Sequence, residues 1–215
     1  MYARSYRTDR YDLGMPVAKG TTLDPARTRA AIIRSATGLL YDRGLDGAAT
    51  AELCARAGVS KETLYRHFGS KEGLIEAVLA ERSDRVARWL QDAAAAAGDD
   101  PARQLAAVFD ALGRWYAEPA FRGCAIVNAA VQHHARPARS VAARHLGRHL
   151  DLLTGIAARG GAADPAMLGR QLLMLIEGAT VLADHHGAPD AAPHAKLAAL
   201  TLLHASTTAQ QPSEP

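Results

Sequence analysis

The chain has 215 residues, 48% of them hydrophobic, with a formal net charge of +3. That is long enough for one large or two small domains with a real core, and the apolar content argues against a disordered chain. Ala and Leu supply most of the apolar content, aromatics are 5%, and runs of Val, Ile, Thr and Tyr are absent, so an all-α protein is expected and a β-sheet is not. Its two cysteines, Cys54 and Cys124, lie far apart without a CxxC partner, which argues against a disulfide framework or a zinc knuckle. No apolar run approaches the roughly 20 residues of a membrane span, and the N-terminus is charged where a signal peptide would be apolar. The chain reads as cytoplasmic.

Residues 1–22 are polar and irregular, with Arg4, Arg7, Arg10 and Lys19 spaced through them. They read as a flexible basic arm, either a disordered leader or a segment able to reach DNA phosphate or a minor groove. Three Asp-Pro pairs follow: Asp24-Pro25, Asp100-Pro101 and Asp164-Pro165. Each sets a capping carboxylate before a proline at the first helical position, so each predicts a helix start. The apolar spacing of Ile32, Ala36, Leu39 and Leu40, closed by Gly44, predicts a first helix over about 25–43. Thr50 is expected to cap a short helix that Gly58 breaks. Ser60 is expected to cap a second, KETLYRHF, and Gly69-Ser70 separates it from a long helix from Lys71 to the region of Gly98. Further helices are expected near 101–117, 120–134, 137–159, 165–186 and 193–208, with a disordered tail at 209–215.

The two short helices, the tight turn at Gly58 and a longer bracing helix make a three-helix helix-turn-helix unit over residues 23–70, with a linking helix from 71. The second short helix is the reader. Ser60 leaves its first turn exposed, and Lys61, Glu62 and Thr63 occupy that turn, the part set against base edges. Leu64 and Phe68 share an inward face; Tyr65 and His67 project elsewhere, where they can bond phosphate oxygens, with Lys71 adding a charge. Residues 1–90 carry 15 Lys and Arg against 11 Asp and Glu, and 91–215 carry 10 against 11. The basic excess therefore lies with the proposed reader.

The segment GAATAELCARAGVSKETLYRHFGSKEGLIEAVL resembles the DNA-binding domain of the TetR family of bacterial transcriptional regulators. The likeness rests on the Thr-headed helix, Ala-Gly-Val-Ser, Thr-Leu-Tyr-x-His-Phe and Ser-Lys-Glu-x-Leu. It spans about residues 27–80. The resemblance implies an all-helical homodimer of about nine helices per chain, with a C-terminal domain, here 71–208, that binds a small-molecule effector and dimerises. It implies phosphate contacts from Thr50, Tyr65, His67 and Lys71 and base contacts from Lys61, Glu62 and Thr63. The sequence has no nucleophile elbow, phosphate-cradling glycine loop or His-Glu-x-x-His, so neither an enzyme nor a cofactor is expected. Glu62 departs from the small residue common at its position: it either accepts from a cytosine amine or points at solvent. Cys54 replaces a common Ala and reads as a small buried residue.

In the C-terminal half, Phe109, Leu112, Trp115 and Tyr116 put large apolar groups on one expected helix, which makes them effector-pocket candidates, and FRGCAIVNAAVQHH follows. The resemblance makes Phe121, Cys124, Val127, Asn128 and Val131 effector-pocket candidates, joined by Met174 and Glu177; each is also a plain core candidate. A lone Glu177 would favour a cationic or hydroxyl-bearing effector unless Arg170 pairs with it. The helices near 165–186 and 193–208 are apolar around more than one face, as a dimeric four-helix bundle requires. His133-His134, His145 with His149 at i,i+4, and His185-His186 allow a metal-responsive alternative, although no third and fourth ligand is evident and surface histidines are the plainer account. Cys124 allows a redox- or electrophile-responsive alternative, with Arg122 as the expected cationic neighbour. The leading expectation is a repressor released from a palindromic operator by its effector.

Overall fold

The computed structural model describes residues 24–132, 136–188 and 190–208, of which it forms nine helices and no strand. They are α1 Pro25–Gly47, α2 Thr50–Ala57, α3 Lys61–Phe68, α4 Lys71–Ala95, α5 Pro101–Tyr116, α6 Ala125–Gln132, α7 Arg136–Arg159, α8 Pro165–His185 and α9 Ala191–Thr208. The expected arm at 1–22, the tail at 209–215 and the His133-His134 pair lie outside the described residues.

All three Asp-Pro starts form as local chemistry dictates. Asp24 accepts from the amide of Ala26, Asp100 from Ala102 and Arg103, and Asp164 from Met167. Replacing Asp100 by alanine leaves the first amides of α5 without their acceptor. It should cost about 1 kcal/mol, a fall in Tm of about 2–4 °C by calorimetry. Three boundaries and one length-and-composition expectation differ from the sequence reading. α1 runs on to Gly47 instead of closing at Gly44. Thr50 is the first helical residue of α2 and not its cap; Ala49 takes the cap position with no side-chain bond. α6 begins at Ala125 rather than near 120, because Gly123, at φ 69°, belongs to a turn. α8 is long and apolar enough, by length and composition alone, to cross a bilayer, where the sequence reading found no such run. Its Leu168, Leu172, Ile176 and Ala179 are buried within the protein.

The chain divides into two compact units. The first holds the described residues up to Arg82 together with Ala125–Val141. There α1 packs on α2 and α2 on α3, around Ile32, Ile33, Leu39, Leu53, Leu64 and Leu74. The second unit comprises Ser83–Cys124 and the described residues from Ala142 onward. In it α5 and α8 both pack against α9, around Leu105, Val108, Phe109, Leu153, Ile156, Leu172 and Leu203.

Candidate nucleic-acid interface and effector site

The turn between α2 and α3 depends on Gly58, whose φ of 65° and ψ of 30° are left-handed. Its N–H donates to the Ala55 carbonyl at 3.2 Å and that of Val59 to Cys54 at 3.1 Å. A side chain at this position would be strained. α3 then starts on Ser60, whose Oγ accepts from the Thr63 amide at 3.1 Å and lies 3.0 Å from the Thr63 hydroxyl. Leu64 is fully buried and fixes one face of α3. Phe68 is half-buried, with the Arg29 guanidinium 5.3 Å from its ring centre, a cation–π contact between α1 and α3.

The rest of α3 faces outward. Lys61 and Glu62 are exposed, Tyr65 is 37% exposed, and the Lys61 ammonium lies 5.5 Å from the Tyr65 ring centre. Thr63, His67 and Lys71 are half-buried, as is Thr50. The structure adds Arg66, absent from the sequence reading, whose guanidinium donates to the Thr63 hydroxyl at 3.4 Å. Its one-turn spacing from Thr63 was the available signal. Cys54 is buried as expected, and that burial pushes its thiol up, against a smaller opposing pull from Lys61.

The expected effector residues divide between the two units. Val127 and Asn128, on α6 of the first, are half-buried. Val131 is 68% exposed, and Met174 of the second unit 66%; these two are surface side chains, where an interior lining was expected. Phe109 and Leu112 are fully buried core. Trp115, Tyr116 and Phe121 do come together. The Phe121 ring centre lies 4.8 Å from that of Trp115 and 5.1 Å from that of Tyr116. The Thr180 hydroxyl donates to the Ile176 carbonyl and lies 2.8 Å from the Tyr116 hydroxyl, so Tyr116 donates to Thr180. Burial, reinforced by the Glu177 charge, holds the Tyr116 phenol well above its ordinary value. Glu177 is half-buried and has no ion pair to Arg170 among the described contacts; burial pushes its carboxyl up.

Two histidines read as surface residues prove to be interior. His145 is 1% exposed and His149 5%, their ring centres 4.3 Å apart. The His145 Nδ1 lies 3.1 Å from the Ser83 Oγ, and its Nε2 lies 3.5 Å from the Cys124 Sγ. Arg148 donates to that Ser83 oxygen at 2.9 Å and pairs with Asp84. Neither ring nitrogen of His149 has a partner, and burial pulls its pKa down to about 4. Arg122, the neighbour expected for Cys124, donates to the Phe121 carbonyl at 2.6 Å. Among the described residues no three His, Cys, Asp or Glu side chains gather at metal-binding range. The i,i+4 spacing had put His145 and His149 on one face, but only the fold places Ser83 and Cys124 against them.

Two short helices joined at the Gly58 turn and braced by α1, on a chain otherwise helical among the described residues, are the architecture of a DNA-binding regulator. Residues 32–78 match the family described as bacterial regulatory proteins, tetR family. A solved TetR-type regulator from Streptomyces avermitilis is 32% identical, with 86% of this chain and 98% of that one covered at a TM-score of 0.70. A TetR-family regulator from Streptomyces coelicolor is 27% identical over 85% and 97%, at 0.74. The HTH-type transcriptional activator FasR of Mycolicibacterium smegmatis is 36% identical over 90 residues, 42% of this chain and 41% of that protein. The chain thus spans about two fifths of the length of that curated relative. It belongs to the TetR family of transcriptional regulators.

Proposed function

We propose that this regulator is a cytoplasmic homodimeric repressor that reads a near-palindromic operator with α3 and releases it when a small molecule binds the second unit. The observation that carries the reading is α3 itself. It is held by buried Leu64 and capped by Ser60, with Lys61, Glu62 and Tyr65 turned outward. In this reading Thr50, Ser60, Tyr65, His67 and Lys71 contact phosphate, and Lys61, Glu62 and Thr63 meet base edges. Exposed Met167, Met174, Val181 and Leu182 on α8 and Leu197 on α9 support dimerisation through those helices. Two readers would then enter successive major grooves about 34–36 Å apart. The cluster of Trp115, Tyr116 and Phe121, with Glu177 close enough to Tyr116 to act on its phenol, supports an effector that brings apolar area and a hydrogen-bond donor. Release would follow from its differential affinity for two conformations.

The experiment is selection of random duplex DNA by the purified protein, with salt varied. An inverted repeat with half-sites one turn apart is expected. Lys71→Ala should weaken binding to every sequence and lower the salt slope by about 1, whereas Lys61→Ala should alter which base is preferred. Unchanged preference in both Lys61→Ala and Thr63→Ala would remove the base-contact assignment.

A further inference from the structure

The second unit contains chemistry that operator reading does not use. A guanidinium only donates, so Arg148 fills one lone pair of the Ser83 Oγ. The other lone pair can accept from the His145 Nδ1, 3.1 Å away, in the tautomer that carries its proton there. If the thiol proton of Cys124 moves to His145, both ring nitrogens carry hydrogen: Nδ1–H donates to Ser83, and Nε2–H, 3.5 Å from the sulfur, donates to the thiolate. A nucleophile, a base and a group that orients the base is the general arrangement of an activated thiol. Cys124 is also partly exposed, as a reagent from solution requires.

A second observation comes from His149. Its ring stands edge-on to that of His145, it is 5% exposed, and both nitrogens lack partners. A buried polar group without a partner calls for a ligand or water. With its pKa pulled down to about 4 by burial, the ring is neutral at pH 7 and offers one N–H and one lone pair.

We propose that Cys124, activated by His145 and assisted by His149, is a site of covalent modification by soft electrophiles of the α,β-unsaturated carbonyl class. The thiol proton passes to the His145 Nε2. The sulfur then bonds to the β-carbon, and the C=C electron pair shifts toward the carbonyl, giving an enolate whose oxygen accepts from the His149 N–H. The proton held on His145 returns to the α-carbon. The product is a saturated thioether; no atom leaves and no oxidant or reductant is consumed. Cys54, the other cysteine, lacks this setting: it is 7% exposed and its thiol is pushed up by burial.

The test uses the full chain without DNA, so it stands or falls separately from the operator reading. N-ethylmaleimide is the probe, and peptide mass spectrometry gives its rate at Cys124 and Cys54 between pH 6 and 8. Cys124 should label at a nearly constant rate, where an isolated thiol loses about tenfold per pH unit. His145→Asn should restore that steep dependence and slow Cys124 at pH 6 about tenfold or more. Ser83→Ala, which keeps both rings, should do so more weakly. Protection of Cys54 in each variant reports that the fold is intact. His149→Leu should slow the maleimide but not iodoacetamide, whose displacement forms no enolate. A steep pH dependence in the native protein, or an unchanged rate in folded His145→Asn, would overturn the proposal. Equal slowing of both reagents in His149→Leu would overturn the part given to His149.

Discussion

Leu64→Ala should destabilise the first unit by about 2–5 kcal/mol and abolish sequence-specific DNA binding at temperatures where the parent protein binds. Leu64 is fully buried, and α3 has only eight residues, too few to hold helical form in water alone. Its shape depends on that anchor, on the Ser60 cap and on the Gly58 turn. Removing the anchor leaves a cavity beneath the surface that carries Lys61, Glu62, Thr63 and Tyr65, so the outward groups lose their common frame together. Leu64→Met, which nearly conserves volume, should cost less than about 1.5 kcal/mol and keep binding. Thermal melts and operator titrations on both variants make the comparison. A Leu64→Ala protein with parental Tm and parental affinity would show that α3 is held by something else.

His149→Leu should act in the opposite direction and raise stability. The imidazole is buried with neither nitrogen bonded, a desolvation cost of about 1–3 kcal/mol that an apolar side chain of similar size does not bear. The pH dependence follows from linkage. The folded pKa is about 4, below the ordinary value of 6.5, so the unfolded chain binds the proton first. The native state is therefore unaffected above about pH 6.5 and loses stability as pH falls from there toward 4, by a total of about 3 kcal/mol. Glu177 works the other way. Its carboxyl is pushed up by burial, so the stability it lends in acid is lost as pH rises through its folded value. Chemical denaturation at pH 7.5 and 4.5 should show the acid loss in the parent and much less of it in His149→Leu. The same pH slope in both proteins would mean that His149 finds a partner or solvent.

What the sequence revealed was local. The caps at Asp24, Asp100, Asp164 and Ser60 act within three residues of themselves, and Gly58 sets its turn through its own φ. The helix-turn-helix was legible for the same reason. Helix ends without a strong cap were not: Thr50 and Ala49 compete for one position, and the start of α6 is decided by the turn at Gly123. Burial across elements was also hidden. Arg29 meets Phe68, and Ser83 meets His145 across 62 positions, which no periodicity encodes. Met174 and Val131 were apolar residues on apolar helices, and only packing could show that each points outward.

The three Asp-Pro helix starts have a chemical consequence besides capping. The tertiary amide before proline is the most acid-labile peptide bond of a chain, because the aspartic carboxyl attacks its own carbonyl carbon and the proline nitrogen leaves readily. In the folded protein each of these carboxylates is engaged with amides of the following turn, drawn away from that attack. Unfolding frees all three. The protein therefore carries its own cutting map: mild acid on the denatured chain yields four pieces, 1–24, 25–100, 101–164 and 165–215, of which 25–100 keeps the whole reader helix.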